Sequence, residues 1–201
     1  MKLAIIKYNA GNVQSVWYAL QRLGIYASIT SEPEEIVGAD KVIFPGVGHA
    51  QSAMEFLKAH GLDRVITGLT QPVLGICLGL QLLCSHSEEG DTPCLGIFNP
   101  RVRKFDNGGV NEKEAYKIPQ MGWNTLKNLK SPLFEGVSEN SYVYFVHSYY
   151  AELSDQTIAT TEYLLPYSAS LRKDNFFGVQ FHPEKSAEVG AKILENFIKL
   201  P

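Results

Sequence analysis

The sequence predicts an α/β fold, with a central, mostly parallel sheet covered by helices on both faces and a mixed or antiparallel second half. Three observations carry this expectation. Through the first half, short apolar runs with strand character alternate with longer runs whose apolar residues recur at helical spacing. Through the second half, strand and hairpin patterns follow one another with no long helical run until the last fifteen or so positions. The 201 residues, 45% of them hydrophobic, suit one domain over residues 1–201 with an ordinary core. Strands that alternate with helices must pair in parallel, because each crossover lays a helix on a sheet face.

In order, "KLAIIKY" reads as a buried strand closed by "NAGN". "VQSVWYALQRLG" places Val13, Val16, Trp17, Leu20 and Leu23 on one helical face, and Gly24 ends it. "YASITS" and "KVIFPG" are the second and third strands, and His49 to His60 is a helix. "QPVLGIC" is the fourth strand, running into a helix over "LGLQLLCSHS". "GIFNPRVRKF", "GWNTLKNL", "SYVYFVHSYYAEL", "TIATTEY" and "YSASLRKDNFFGVQF" read as strands and hairpins. The polar stretch Asp106 to Lys117 reads as an exposed loop, and Ser186 to Leu200 as a final helix.

Composition narrows the function class. The net charge is −3 and no basic stripe marks the chain, which argues against nucleic acid or an anionic membrane surface as partner. No run approaches the roughly 20 apolar residues of a membrane helix. Three cysteines, Cys77, Cys84 and Cys94, with no CxxC pair, argue against a disulfide framework and a zinc site. A reducing, cytoplasmic setting is expected.

One cysteine has a special context. Gly75-Ile76-Cys77-Leu78-Gly79 has the form of a nucleophile elbow with cysteine in place of serine. A nucleophile on a sharp strand-to-helix turn stands exposed, and the residues two positions away crowd it, so they need to lack side chains. The unpaired N–H groups of a helix start favour negative charge on the sulfur. The plain alternative is a buried cysteine that packs as a small hydrophobe, and this is retained for Cys84 and Cys94. A thiol also needs a base, and the base an orienting group. In "FGVQFHPEKS", Pro183 biases His182 toward an extended backbone, and Glu184 two residues on would then face the same way. His60 and His86 receive no role. Acyl chemistry finally needs two N–H donors for an oxyanion. The Leu78 amide follows the nucleophile, and the Val47 amide lies in "FPGVGH" between Gly46 and Gly48, where the peptide has freedom to turn toward or away from a substrate.

Together these motifs resemble the class I glutamine amidotransferases, the triad-type glutaminases, over nearly the whole chain. The resemblance implies a flavodoxin-like amidotransferase domain and hydrolysis of L-glutamine to glutamate and ammonia through a glutamyl thioester. Cys77 would be the nucleophile, His182 the base and acid, Glu184 the orienter, and Val47 and Leu78 the oxyanion donors, with Gly48 and Gln81 at the substrate. No metal or organic cofactor is implied. The ordered set "PGVGH", "GICLGLQLL", "PQMGWN", "YFVHSYY" and "VQFHPEKS" is most similar to the glutaminase-subunit branch that serves imidazole glycerol phosphate synthases. That branch implies His147, Ser148 and Tyr149 near the glutamine pocket. It also implies a heterodimer with a cyclase subunit that uses the ammonia to make imidazole glycerol phosphate and AICAR in histidine biosynthesis. Asn12, Met121, Trp123 and Asn124 would face that partner.

The chain departs from the family pattern at Lys7-Tyr8-Asn9, at Gln14 and at Phe98-Asn99-Pro100, none of which touches the expected triad. Two other readings stay open at this level. One is another class I glutaminase or a stand-alone γ-glutamyl hydrolase, separable by activity with the cyclase subunit. The other is a non-catalytic binding module on the same fold, separable by covalent labelling with a glutamine-like electrophile.

Overall fold

The computed structural model describes residues 1–108 and 117–201. The expected Asp106–Lys117 loop falls largely on 109–116, outside the described residues. The strands are β1 (Leu3–Ile6), β2 (Ser28–Thr30), β3 (Lys41–Gly46), β4 (Val73–Cys77), β5 (His86–Ser87), β6 (Thr92–Pro93), β7 (Arg101–Lys104), β8 (Gln120–Thr125), β9 (Tyr142–His147), β10 (Tyr149–Ala151), β11 (Thr157–Tyr163), β12 (Leu165–Lys173) and β13 (Phe176–Val179). The helices are α1 (Val13–Arg22), α2 (Pro33–Val37), α3 (Ala50–Ala59), α4 (Leu62–Thr67), α5 (Leu78–Leu83) and α6 (Ala187–Lys199).

The main sheet runs β2-β1-β3-β4-β13-β12-β10-β7-β5-β6, with β11 paired to β12. Its first five strands are parallel, in the 2-1-3-4-5 order of the flavodoxin-like fold. From β12 onward most pairings are antiparallel. Alternation along the parallel strands divides the core. Ala4, Ile6, Val42, Phe44 and Val73 face α3, α4 and α5. Leu3, Ile5, Ile43, Leu74 and Ile76 face α1 and α6. Both faces of a parallel sheet are thus buried, which explains why these strands read as unbroken apolar runs.

Five elements differ from the sequence expectation. The one-turn helices α2 and α4 are too short to show a period; α2 starts on Pro33, whose missing N–H costs nothing at a first helical position. α5 stops at Leu83 instead of running to Ser87, because the amides of Leu95 and Phe98 take the carbonyls of Leu82 and Leu83 at 2.8 Å each. That loop also replaces the strand expected from Gly96 to Asn99. The run "SYVYFVHSYYAEL" breaks at Ser148. β9 before it pairs with β8 in a separate two-stranded ribbon, and β10 after it joins the main sheet.

Candidate active site

The site lies at the C-terminal ends of β3, β4 and β13, where open α/β sheets hold their ligands. Cys77 ends β4 with φ 54° and ψ −107°, a backbone state that costs about 1–3 kcal/mol for a residue with a side chain. The elbow's glycines permit the turn by letting backbones meet. A Cβ on Gly75 would stand 2.9 Å from the Gly79 carbonyl, and one on Gly79 would stand 1.8 Å from the Phe44 carbonyl oxygen in β3. Backbone oxygen cannot swing away as a side chain can. Gly79→Ala is therefore expected to lose at least about 3 kcal/mol of stability, read by denaturant unfolding. An unchanged midpoint would show that α5 does not need this close approach.

Cys77 opens onto a cleft of about 250 Å³. Its lining includes Val47, Gly48, Leu78, Gln81, His147, Ser148 and Tyr149, so every residue expected at the oxyanion or the substrate is gathered here. Three further residues join them: Glu89, Pro119 and Val146. The break at Ser148 explains the contribution of His147, Ser148 and Tyr149, since the chain turns at the cleft as it leaves one sheet for the other. The Val47 carbonyl accepts from the Gly11 amide at 3.3 Å, and Gly48 has φ +131°, which suits glycine.

Glu89 was not singled out by sequence, because "SEEGD" reads as a solvated acidic turn. Its Oε2 accepts from the Ala50 amide at the start of α3 at 2.6 Å, so a carboxylate is held at the cleft wall. A carboxylate a few residues after a cysteine-elbow helix is the signal that was available.

His182 and Glu184 lie behind Cys77. The expectation that both share a strand face is corrected: only His182 is extended, and Pro183–Lys185 forms one 3₁₀ turn that folds Glu184 back. Proline suits the first position of such a turn. Glu184 Oε1 lies 2.7 Å from His182 Nδ1, and both side chains are buried. A carboxylate only accepts, so Nδ1 carries the proton and Nε2 is left free, with no hydrogen-bond partner among the described residues. The His182 backbone is clamped: its amide donates to Tyr144 at 2.9 Å, and its carbonyl accepts from the Ser186 hydroxyl at 2.6 Å. Burial opposes charge on the ring, but ionised Cys77 and Glu184 outweigh it and push the His182 pKa upward. This raises the affinity of the His182 ring for a proton.

The other buried histidine behaves oppositely. Burial lowers His147 to about 4. It is neutral at pH 7, with Nδ1–H donating to the Tyr149 carbonyl at 2.7 Å and Nε2 3.0 Å from the Tyr167 hydroxyl. It is a shaping residue of the cleft wall.

The residues expected at a partner surface divide. Met121 and Trp123 are 67% and 53% exposed on β8. Asn124 instead donates to the Glu162 carbonyl at 2.9 Å. Asn12, at the start of α1, turns inward, and its side-chain amide donates to Glu184 Oε1. Tyr144 stacks edge-on to Trp123 at 5.9 Å, and the Lys185 ammonium stands 5.8 Å from the Tyr144 ring. The exposed ribbon thus borders the His182–Glu184 turn.

Comparison with known proteins places the chain in a family. The family model "Glutamine amidotransferase class-I" matches residues 4–200. The chain belongs to that family. The amidotransferase is 56% identical over 200 residues to a Bacteroides fragilis protein called imidazole glycerol phosphate synthase subunit HisH, covering all of both chains. Proteins of the same name from Shewanella loihica and Haemophilus influenzae are 46% and 42% identical, over 98% and 99% of this chain and 89% and 98% of theirs. Two solved glutamine amidotransferases share the fold. One has a TM-score of 0.70 at 18% identity, covering 98% of this chain and 97% of its own. The other, from Thermotoga maritima, has a TM-score of 0.64 at 18% identity, covering 98% and 82%. Among the described residues no helix is long and apolar enough to cross a membrane.

Proposed function

We propose that this amidotransferase is the glutaminase subunit of an imidazole glycerol phosphate synthase. The observation that carries the reading is the Cys77 elbow, backed by the His182–Glu184 pair and opening onto a cleft sized for one amino acid. Cys77 gives its thiol proton to His182 Nε2, and Sγ attacks the side-chain carbonyl carbon of glutamine. The oxyanion that forms is met by the amides of Leu78 and Val47. His182 Nε2–H gives its proton to the departing nitrogen, and ammonia leaves. Water then attacks the thioester as His182 takes its proton, and collapse frees glutamate and the thiolate. Glu184 and Asn12 hold the ring in the tautomer that both steps use.

Substrate recognition follows from charge. Glutamine carries an α-ammonium, and Glu89 is the carboxylate on the cleft wall, with Gln81, Ser148 and Tyr149 as its polar neighbours. Glu89→Gln is expected to raise KM for glutamine about tenfold to a hundredfold with kcat little changed, since a charge-assisted hydrogen bond to the ground state is lost. A fall in kcat at constant KM would place Glu89 in the chemistry instead.

The partner is a cyclase subunit, in a heterodimer in the cytoplasm. What supports this is the name of the relatives matched over their whole length and the exposed Met121–Trp123 ribbon beside the His182 turn. Co-purification with a cyclase subunit, followed by glutamine hydrolysis with and without the cyclase's nucleotide substrate, tests it. Efficient glutamine hydrolysis by the chain alone, with no binding to the cyclase, would favour a stand-alone hydrolase.

A further inference from the structure

Gln180 follows β13 directly. β13 pairs in parallel with β4, with Gly178 opposite Gly75 and Val179 opposite Ile76, so the next residues in register are Gln180 and Cys77. The Gln180 backbone N–H continues the ladder to β12, donating to the Ala169 carbonyl at 2.8 Å, and the residue is fully buried. A buried amide must satisfy its oxygen and its nitrogen. The oxygen accepts from Gln81 Nε2 at 3.0 Å, and the nitrogen lies 3.7 Å from Cys77 Sγ.

The orientation of this chain of amides follows from bonding alone. Gln81 Nε2 also lies 2.9 Å from the Tyr149 carbonyl, which can only accept. The nitrogen end of Gln81 therefore sits there, and its second N–H reaches Gln180. The atom of Gln180 that meets it must be the oxygen. The nitrogen is left facing sulfur. On its other side, Sγ lies 4.0 Å from the Val146 carbonyl. A protonated thiol donates to that carbonyl, whereas an ionised one accepts from Gln180, and hydrogen bonds to ionised acceptors are the stronger kind.

We propose that Gln180 is a positioning residue for the nucleophile: its amide, fixed by Gln81, donates to Cys77 Sγ and anchors the thiolate to the wall of the glutamine cleft. This rests on Cys77 as the nucleophile. It gives Gln81 a second task, since the residue expected to touch substrate is also the one that orients the donor. The other titratable groups acting on the sulfur are His182 after β13, Tyr8 next to β1 and Tyr167 on β12, while His147 on β9 and Glu184 act through His182.

The test is alkylation of Cys77 by iodoacetamide across a pH series in the full chain, followed by peptide mass spectrometry. Gln180→Leu and Gln180→Glu are compared with wild type, with thermal unfolding as the fold control. Gln180→Glu keeps an oxygen for Gln81, so it preserves the buried contact if Gln180→Leu does not fold. The expected result for either variant is a rate at pH 7 lower by about tenfold, with the rising limb of the pH profile moved up by about one unit. The loss should be larger for glutamate, which sets a carboxylate beside the sulfur. kcat for glutamine should fall in step, with KM little moved. Folded variants with wild-type alkylation profiles would overturn the role of Gln180. Wild-type chain that is alkylated at Cys77 yet keeps full glutaminase activity would overturn the nucleophile itself, and the proposal with it.

Discussion

Cys77→Ala should abolish glutamine-dependent product formation by the complex with the cyclase subunit while sparing synthesis from an ammonium salt. In the proposed mechanism the Cys77 sulfur is the atom on which the thioester forms, and the other thiols are poorly suited to replace it. Cys84 is fully buried, and burial pushes its pKa well up; Cys94 is raised to about 12 by the same cause. Both remain protonated at pH 7, and protonated thiols are poor nucleophiles. In the proposed complex ring closure with free ammonia belongs to the partner, so it should survive as long as the variant folds and docks. Alanine at 77 keeps a Cβ at φ 54° and removes only the sulfur of a residue that is 5% exposed, so the elbow should persist. Retained glutamine turnover in this variant would refute the assignment of Cys77, and loss of ammonia-dependent synthesis would show damage to the complex instead.

Glu184→Gln should lower kcat far more than it raises KM. The carboxylate is buried against His182 Nδ1 at 2.7 Å and takes a second hydrogen bond from Asn12 on the same oxygen. A neutral amide in its place removes the charge that stabilises imidazolium. It also allows an N–H to face Nδ1, which moves the ring proton to Nε2 and disables the base. The equivalent change in a serine triad costs about 10⁴ in kcat. A cysteine enzyme should lose less, about 10² to 10³, because a thiol ionises with less help. Glu184 does not line the cleft that holds Gln81 and Glu89, so glutamine affinity should hold. A raised KM at constant kcat would move Glu184 from the proton relay to the substrate site.

How much of this was legible in the sequence depended on the range of the contact that decides each feature. The elbow could be read because close approach of α5 to β3 and β4 demands glycine at 75 and 79, and that demand is local. The parallel strands could be read because burial on both faces leaves unbroken apolar runs. The end of α5 could not, because loop amides from Leu95 and Phe98 set it. The turn at Pro183–Lys185 kept the His182–Glu184 pair that an extended backbone had suggested, by a different geometry. Asn12 was read as a surface residue because nothing local ties it to Glu184, which is 172 positions away. Glu89 and Gln180 have no motif of their own; one is fixed by the start of α3 and the other by parallel register with Cys77.

The most direct test is stoichiometric labelling with an electrophilic analogue of glutamine, followed by peptide mapping. The expected result is one adduct per chain on the Cys77 peptide, loss of glutaminase activity in proportion, protection by glutamine, and no adduct in Cys77→Ala. Labelling of Cys84 or Cys94 in step with inactivation, or inactivation with Cys77 unmodified, would contradict a cysteine elbow backed by His182 and Glu184 as the seat of the chemistry.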